Sequence, residues 1–127
     1  MATKKWAKVP DLAIDKILYP KFGVSPRGKL ERRIVANLIA HLKRAGFRPY
    51  EVDDREEVTK VKGTKDTMEL LFNLDEAWVF FTNGSSTHWV YFTMGEGTTM
   101  ICDHSFTEGD PDGFLAAMDA FEAEDYA

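Results

Sequence analysis

The stretch "AWVFFTNGSSTHWVYFTM", residues 77–94, holds two apolar runs separated by a linker rich in Asn, Gly and Ser. Successive side chains of a strand point to opposite faces, so each run sorts itself in two. Val79, Phe81, Val90, Phe92 and Met94 share one face. Trp78, Phe80, Trp89 and Tyr91 share the other. The linker suits a hairpin turn, and after "GEG" (95–97) the run "TTMIC" (98–102) reads as a third strand. In that pairing Val90 stands opposite Cys102 and His88 opposite His104, which adds Met100 and Cys102 to the first face and Ile101 to the second. The first face is the expected core.

Upstream, "RGKLERRIVANLIAHLKRAG" (27–46) spaces Leu30, Ile34, Leu38 and Leu42 at helical intervals, with Val35 and Ile39 beside them. Ser25 and Pro26 are suited to its start, and Gly46 to a left-handed closing turn. Before it, "DLAIDKILYP" (11–20) predicts a short helix with Ile14, Ile17 and Leu18 on one side. "FRPYEV" (47–52) reads as a strand, placed at a sheet edge because Pro49 lacks a ladder donor. The charged run after it reads as a solvated loop or ragged hairpin. Asp66 and Glu69 then have the spacing of a capping box for a two-turn helix carrying Met68, Leu71 and Phe72. Asp110 and Pro111 open a last helix with Phe114, Met118 and Phe121 on one face. The expected fold is α+β, an antiparallel sheet of three to four strands with helices mainly on one face. It is one domain over 1–127, with a basic amino-terminal arm over about 1–24 and an acidic helix over about 110–127.

Charge is segregated along the chain. Residues 1–48 hold 12 Lys or Arg against 3 acids, whereas residues 49–127 hold 4 against 18. Asp119, Glu122, Glu124 and Asp125 lie at a helix carboxyl end, where the macrodipole disfavours anions, so local stability does not select them. They either add solubility or meet a basic partner. The lone Cys102 excludes an internal disulfide, and no apolar run has membrane length. The basic start is not followed by a signal-like apolar stretch, so a cytoplasmic, reducing setting is expected.

His88, Cys102, Asp103 and His104 carry the residue types of a thiol nucleophile with its base, or of a zinc site with His88, Cys102 and His104 as candidate ligands. No C-x-x-C or H-E-x-x-H spacing supports the metal, and Cys102 and His104 on one strand stand about 7 Å apart, too far for direct contact. The bland alternative is a buried cysteine beside two strand-end histidines. "GEG" lacks the lysine and the strand-to-helix setting of a phosphate loop, and no cofactor is expected. Lys29, Arg32, Arg33, Lys43 and Arg44, joined by Lys4, Lys5 and Lys8, could track phosphates while aromatic side chains stack bases, although the acidic half opposes a polyanion.

The order "AGFRPYEVDD", "LLFNLDEAWVFF", "HWVYFTMGEG" and "ICDHS" resembles small proteins encoded by bacteriophages and plasmids, over roughly residues 30–106. The resemblance implies a mobile-element accessory protein and carries no catalytic residues to this chain. It implies a non-catalytic inhibitor of a host defence or nucleic-acid-handling complex, anti-CRISPR-like, with a host protein as partner. The partner-binding candidates are Trp78, Phe80, Trp89 and Tyr91 on the sheet, with Glu122, Glu124 and Asp125 at the acidic end. A small hydrolase or metal enzyme around His88, Cys102 and His104, a nucleic-acid binder using the basic half, and a homodimer covering the aromatic face remain the alternatives.

Overall fold

A computed structural model of the chain describes residues 26–126. The expected helix at Ile14, Ile17 and Leu18, the Ser25 cap and the basic arm lie outside the described residues. Helix α1 (Pro26–Arg44) buries Ile34, Val35, Leu38, Ile39 and Leu42, the residues its periodicity selects. It closes as a Schellman motif: the Phe47 amide donates to the Leu42 carbonyl and the Gly46 amide to that of Lys43, with Gly46 at φ 100°. That turn drops Phe47 into the core and starts β1 (Arg48–Asp53).

The remaining elements are β2 (Val58–Lys60), α2 (Thr64–Leu71), β3 (Glu76–Thr82), β4 (Thr87–Thr93), a 3-10 turn at Gly97–Thr99, β5 (Ile101–His104), α3 (Phe114–Ala120) and a 3-10 turn at Ala123–Tyr126. The strands form one antiparallel sheet of five, in the order β2-β1-β3-β4-β5. This is an α+β fold with more strands than the sequence suggests, because β2 is too short and too charged to show a period. The edge strands are β2 and β5, and β1 lies inside the sheet. Pro49 is tolerated there because β2 pairs only with Glu51–Asp53 and a bulge interrupts the β1–β3 ladder between Pro49 and Glu51.

Burial alternates strictly along β3 and β4. Val52, Val79, Phe81, Val90 and Phe92 pack with Met68 and Leu71 of α2, Phe114, Ala117 and Met118 of α3, and the apolar stripe of α1. All three described helices therefore cover the same side of the sheet. Each large side chain fully withdrawn here, such as Leu38 or Phe81, contributes about 2 to 3 kcal/mol.

Three local expectations are corrected. Helix α2 begins at Thr64, ahead of Asp66; Gly63 stands at its cap, and Asp66 instead accepts the Lys62 amide at 2.9 Å. Beyond "GEG" the chain makes a 3-10 turn before β5 begins, and β5 carries a bulge at Cys102. Val90 consequently pairs with His104 and Phe92 with Ile101, so Ile101 packs on the core side and Cys102 is exposed. The cause lies in α1: buried Glu31 accepts the Gly95 amide at 3.0 Å and the Gly97 amide at 2.7 Å, which pins the turn and uses up residues a direct hairpin would have paired. Lastly, the acidic helix expected over about 110–127 is, among the described residues, a helix of Phe114–Ala120 followed by a separate 3-10 turn. Phe121 takes an extended backbone, and the anions beyond it would have faced the negative end of the helix.

Candidate functional site

The sheet face turned away from the helices is aromatic at its centre. Trp78 and Tyr91 stand opposite one another on β3 and β4 and stack at 4.3 Å, and Phe80 and Trp89 form the next pair. The Tyr50 ring, turned to this side by the β1 bulge, meets Phe80 edge-on at 6.5 Å. The Tyr91 hydroxyl donates to Glu76, and the loss of that bond on ionisation pushes its pKa above the usual value. Among the described residues no helix or loop lies over these rings, apart from one side chain. Arg55, in the β1–β2 turn, holds its guanidinium 4.8 Å from the Trp78 ring and 4.0 Å from Glu76. Arg55, Asp53, Trp78, Phe80 and Trp89 line a shallow depression of about 390 Å³.

Cross-strand pairing also places charge on this face. Glu51 stands opposite Phe80, Asp53 opposite Trp78 and Asp103 opposite Tyr91, while Glu76 lies one pair beyond Trp78 on the same side. Lys60 faces Glu51, and Val58, 55% exposed, faces Asp53. Four carboxylates against Lys60, Arg55 and Arg48, which pairs with Thr82 on this side, leave the aromatic surface with a small excess of acid.

The histidine corner is built differently. His88 is 3% exposed, lies flat on Phe114 at 4.1 Å and meets the edge of Phe47. Its Nε2 donates to Asp112 at 2.7 Å, and its Nδ1 is hydrogen-bonded to the Ser105 hydroxyl at 3.2 Å. Ser105 Oγ in turn accepts the Trp89 amide, and the Ser86 hydroxyl donates to Asp112. Burial pushes the Asp112 carboxyl up, but the bonds from Ser86, His88 and the Phe114 amide, with the charge of the imidazole, outweigh it and hold the pKa at about 2.

This order of serine, histidine and aspartate has the connectivity of a nucleophilic chain, yet every group in it is committed. The Ser105 amide, which would face an oxyanion, donates to the Trp89 carbonyl. His88 and Asp112 tie the start of α3 to the sheet, and Asp110 caps that helix through the Leu115 and Ala116 amides. His104, expected to stand opposite His88, faces Phe114 edge-on at 6.1 Å and bonds the Ser105 carbonyl through Nδ1. Cys102 lies near Thr93, so His88, Cys102 and His104 do not share a site. Among the described residues no group of three His, Cys, Asp or Glu has the arrangement of a metal site.

At the acidic end, Glu122 and Glu124 border a second depression of about 450 Å³ with His104, Ile101, Met118 and Phe121. Asp125 sits in the closing 3-10 turn, whose Tyr126 is buried against Phe121 and has its pKa raised to about 12 by that burial. The basic residues of α1 lie on the helix-covered side. There Arg32 stacks on Phe72 at 4.4 Å and Lys43 donates to Thr64. A single strand that followed these cations would pass on the wrong side of the sheet to stack on Trp78 and Trp89.

Comparison with known proteins finds no matching family model, curated protein or solved structure. Arg55, Glu31, Asp112 and Ser105 were not legible as site or network residues. Arg55 sits in a charged run with no period, and the partners of the other three are far away along the chain.

Proposed function

We propose that the protein is a non-catalytic binding protein that docks a protein partner on the aromatic sheet face. The observation that carries this reading is the concentration of Trp78, Phe80, Trp89, Tyr91 and Tyr50 on the side of the sheet that no described helix covers. Aromatic side chains offer large contact area at low conformational cost, which is why they dominate interface energetics. The acidic rim favours a partner with a basic surface and opposes nucleic acid. The resemblance to phage and plasmid accessory proteins supports, as part of this proposal, a partner in a host complex of the defence or nucleic-acid-handling kind and inhibition of that complex by the contact.

The test is affinity capture from bacterial lysate with the wild-type chain, with the Trp78→Ala/Trp89→Ala double variant and with Ser105→Ala, each checked for folding by circular dichroism. The reading requires proteins that the wild type and Ser105→Ala retain and the double variant loses. Identical capture by all three would place the binding surface elsewhere.

A further inference from the structure

Within the aromatic face, one cation is already bound, and it belongs to the chain itself. Arg55 is 65% exposed by its side chain, yet its guanidinium rests over the Trp78 ring and beside Glu76. Its backbone lies at φ 81°, a left-handed conformation that non-glycine residues rarely adopt. The Arg55 amide is tied to Asp53 Oδ1 at 2.8 Å, so the turn aims this side chain at the rings. The neighbouring ring is different: among the described residues the Trp89 indole has no ring or cation partner, although it lines the same depression as Asp53 and Phe80.

We propose that this depression receives an arginine side chain of the protein partner, seated between Trp89 and Trp78 and facing Asp53, and that Arg55, already over the Trp78 ring in the same depression, is an intramolecular competitor for it. The proposal rests on the reading of the face as a protein-docking surface and names what the partner presents there. Three features select a guanidinium. The rings present negative π faces, the rim carries Glu51, Asp53, Glu76 and Asp103, and a planar guanidinium stacks on an indole while its edge reaches a carboxylate. A purely apolar partner would leave Asp53 and Glu76 poorly solvated beside it, and an anionic one would meet the rim's repulsion.

The experiment follows a fluorescein-labelled hexa-arginine peptide by anisotropy against the full chain at physiological salt, with hexa-glutamate and oligo-dT as probes of other chemistry. Trp89→Ala should weaken hexa-arginine binding about tenfold, while Arg55→Ala should tighten it about threefold, the worth of one exposed cation–π contact. Lys65→Gln, at an exposed position of α2, removes the same charge from the helix-covered side and controls for net charge; it should leave the affinity within about twofold. Unchanged or weaker binding by Arg55→Ala, or an equal gain from Lys65→Gln, would overturn the competition. Loss of binding in the Glu122→Gln/Glu124→Gln/Asp125→Gln variant rather than in Trp89→Ala would move the cation site to the acidic end. Preferential binding of hexa-glutamate or oligo-dT would reject a cationic partner, and a dimer that Trp89→Ala dissociates in sedimentation would assign the face to a second copy. If hexa-arginine fails while lysate capture still depends on Trp78 and Trp89, only the arginine assignment falls; if capture is independent of both indoles, the docking reading falls with it.

Discussion

The histidine corner and the aromatic face meet on β4, through His88 on one side and Trp89 and Tyr91 on the other, and could hardly differ more in how their polar groups are used. Around His88, both ring nitrogens, the Ser105 and Ser86 hydroxyls and the Asp112 carboxylate are all engaged within a buried pocket between Phe47 and Phe114. On the other side of the sheet, Trp78, Phe80, Trp89 and Tyr91 stay partly open, and among the described residues Arg55 is the cation that meets Trp78. A saturated network has little left to offer a ligand, whereas unsaturated ring faces beside carboxylates do. Catalytic residue types therefore tie the scaffold together here, while the partly open rings carry the proposed contact surface.

The contrast predicts large stability effects at the corner and small ones on the face. His88→Ala should cost about 3 kcal/mol in urea unfolding, since it opens a cavity between two phenylalanine rings and strips Asp112 of a donor. A loss under 1 kcal/mol would mean that the corner is not a structural tie. Glu31→Gln should cost about 1 to 2 kcal/mol, because one of two amide donors, Gly95 or Gly97, then faces an NH2 group. Amide exchange at those two glycines should rise in the same variant.

A smaller effect follows from pH. Asp112 titrates in the folded chain at about 2, below its ordinary 3.8, so it contributes stability above 3.8 that is lost as pH falls toward 2. The urea midpoint of the wild type should fall more steeply across that window than the midpoint of Asp112→Asn; parallel profiles would show that Asp112 gains nothing from Ser86 and His88. Smallest of all, Arg55→Ala should change stability by about 0.5 kcal/mol or less, because an exposed cation–π contact is weak. A loss several times larger would make Arg55 a structural brace and remove the reason to regard it as a displaceable competitor.

How much of this the chain reveals on inspection follows the range of the forces involved. Alternation along residues 77–94 separates the two faces of β3 and β4, and the four-residue spacing of Ile34, Leu38 and Leu42 marks the buried stripe of α1, because each is a local period imposed by one buried side. The β4–β5 register was not legible, since it depends on Glu31 reaching the Gly95 and Gly97 amides from another element. Asp112 lies 24 residues from His88 and looks like part of a helix start. Of the candidate contact residues, the four sheet aromatics do share a face, while Glu122 and Glu124 border a separate depression with His104.

The most direct test of the division between scaffold and contact surface is hydroxyl-radical footprinting of the full chain, free and bound to the partner recovered by capture, read residue by residue by mass spectrometry. Trp78, Trp89 and Tyr91 should be oxidised in the free chain and protected in the complex, while Phe114 beside His88 stays unreactive in both. Indoles already protected in the free chain, or equally reactive with and without the partner, would contradict the assignment of the aromatic face as the surface through which this protein acts.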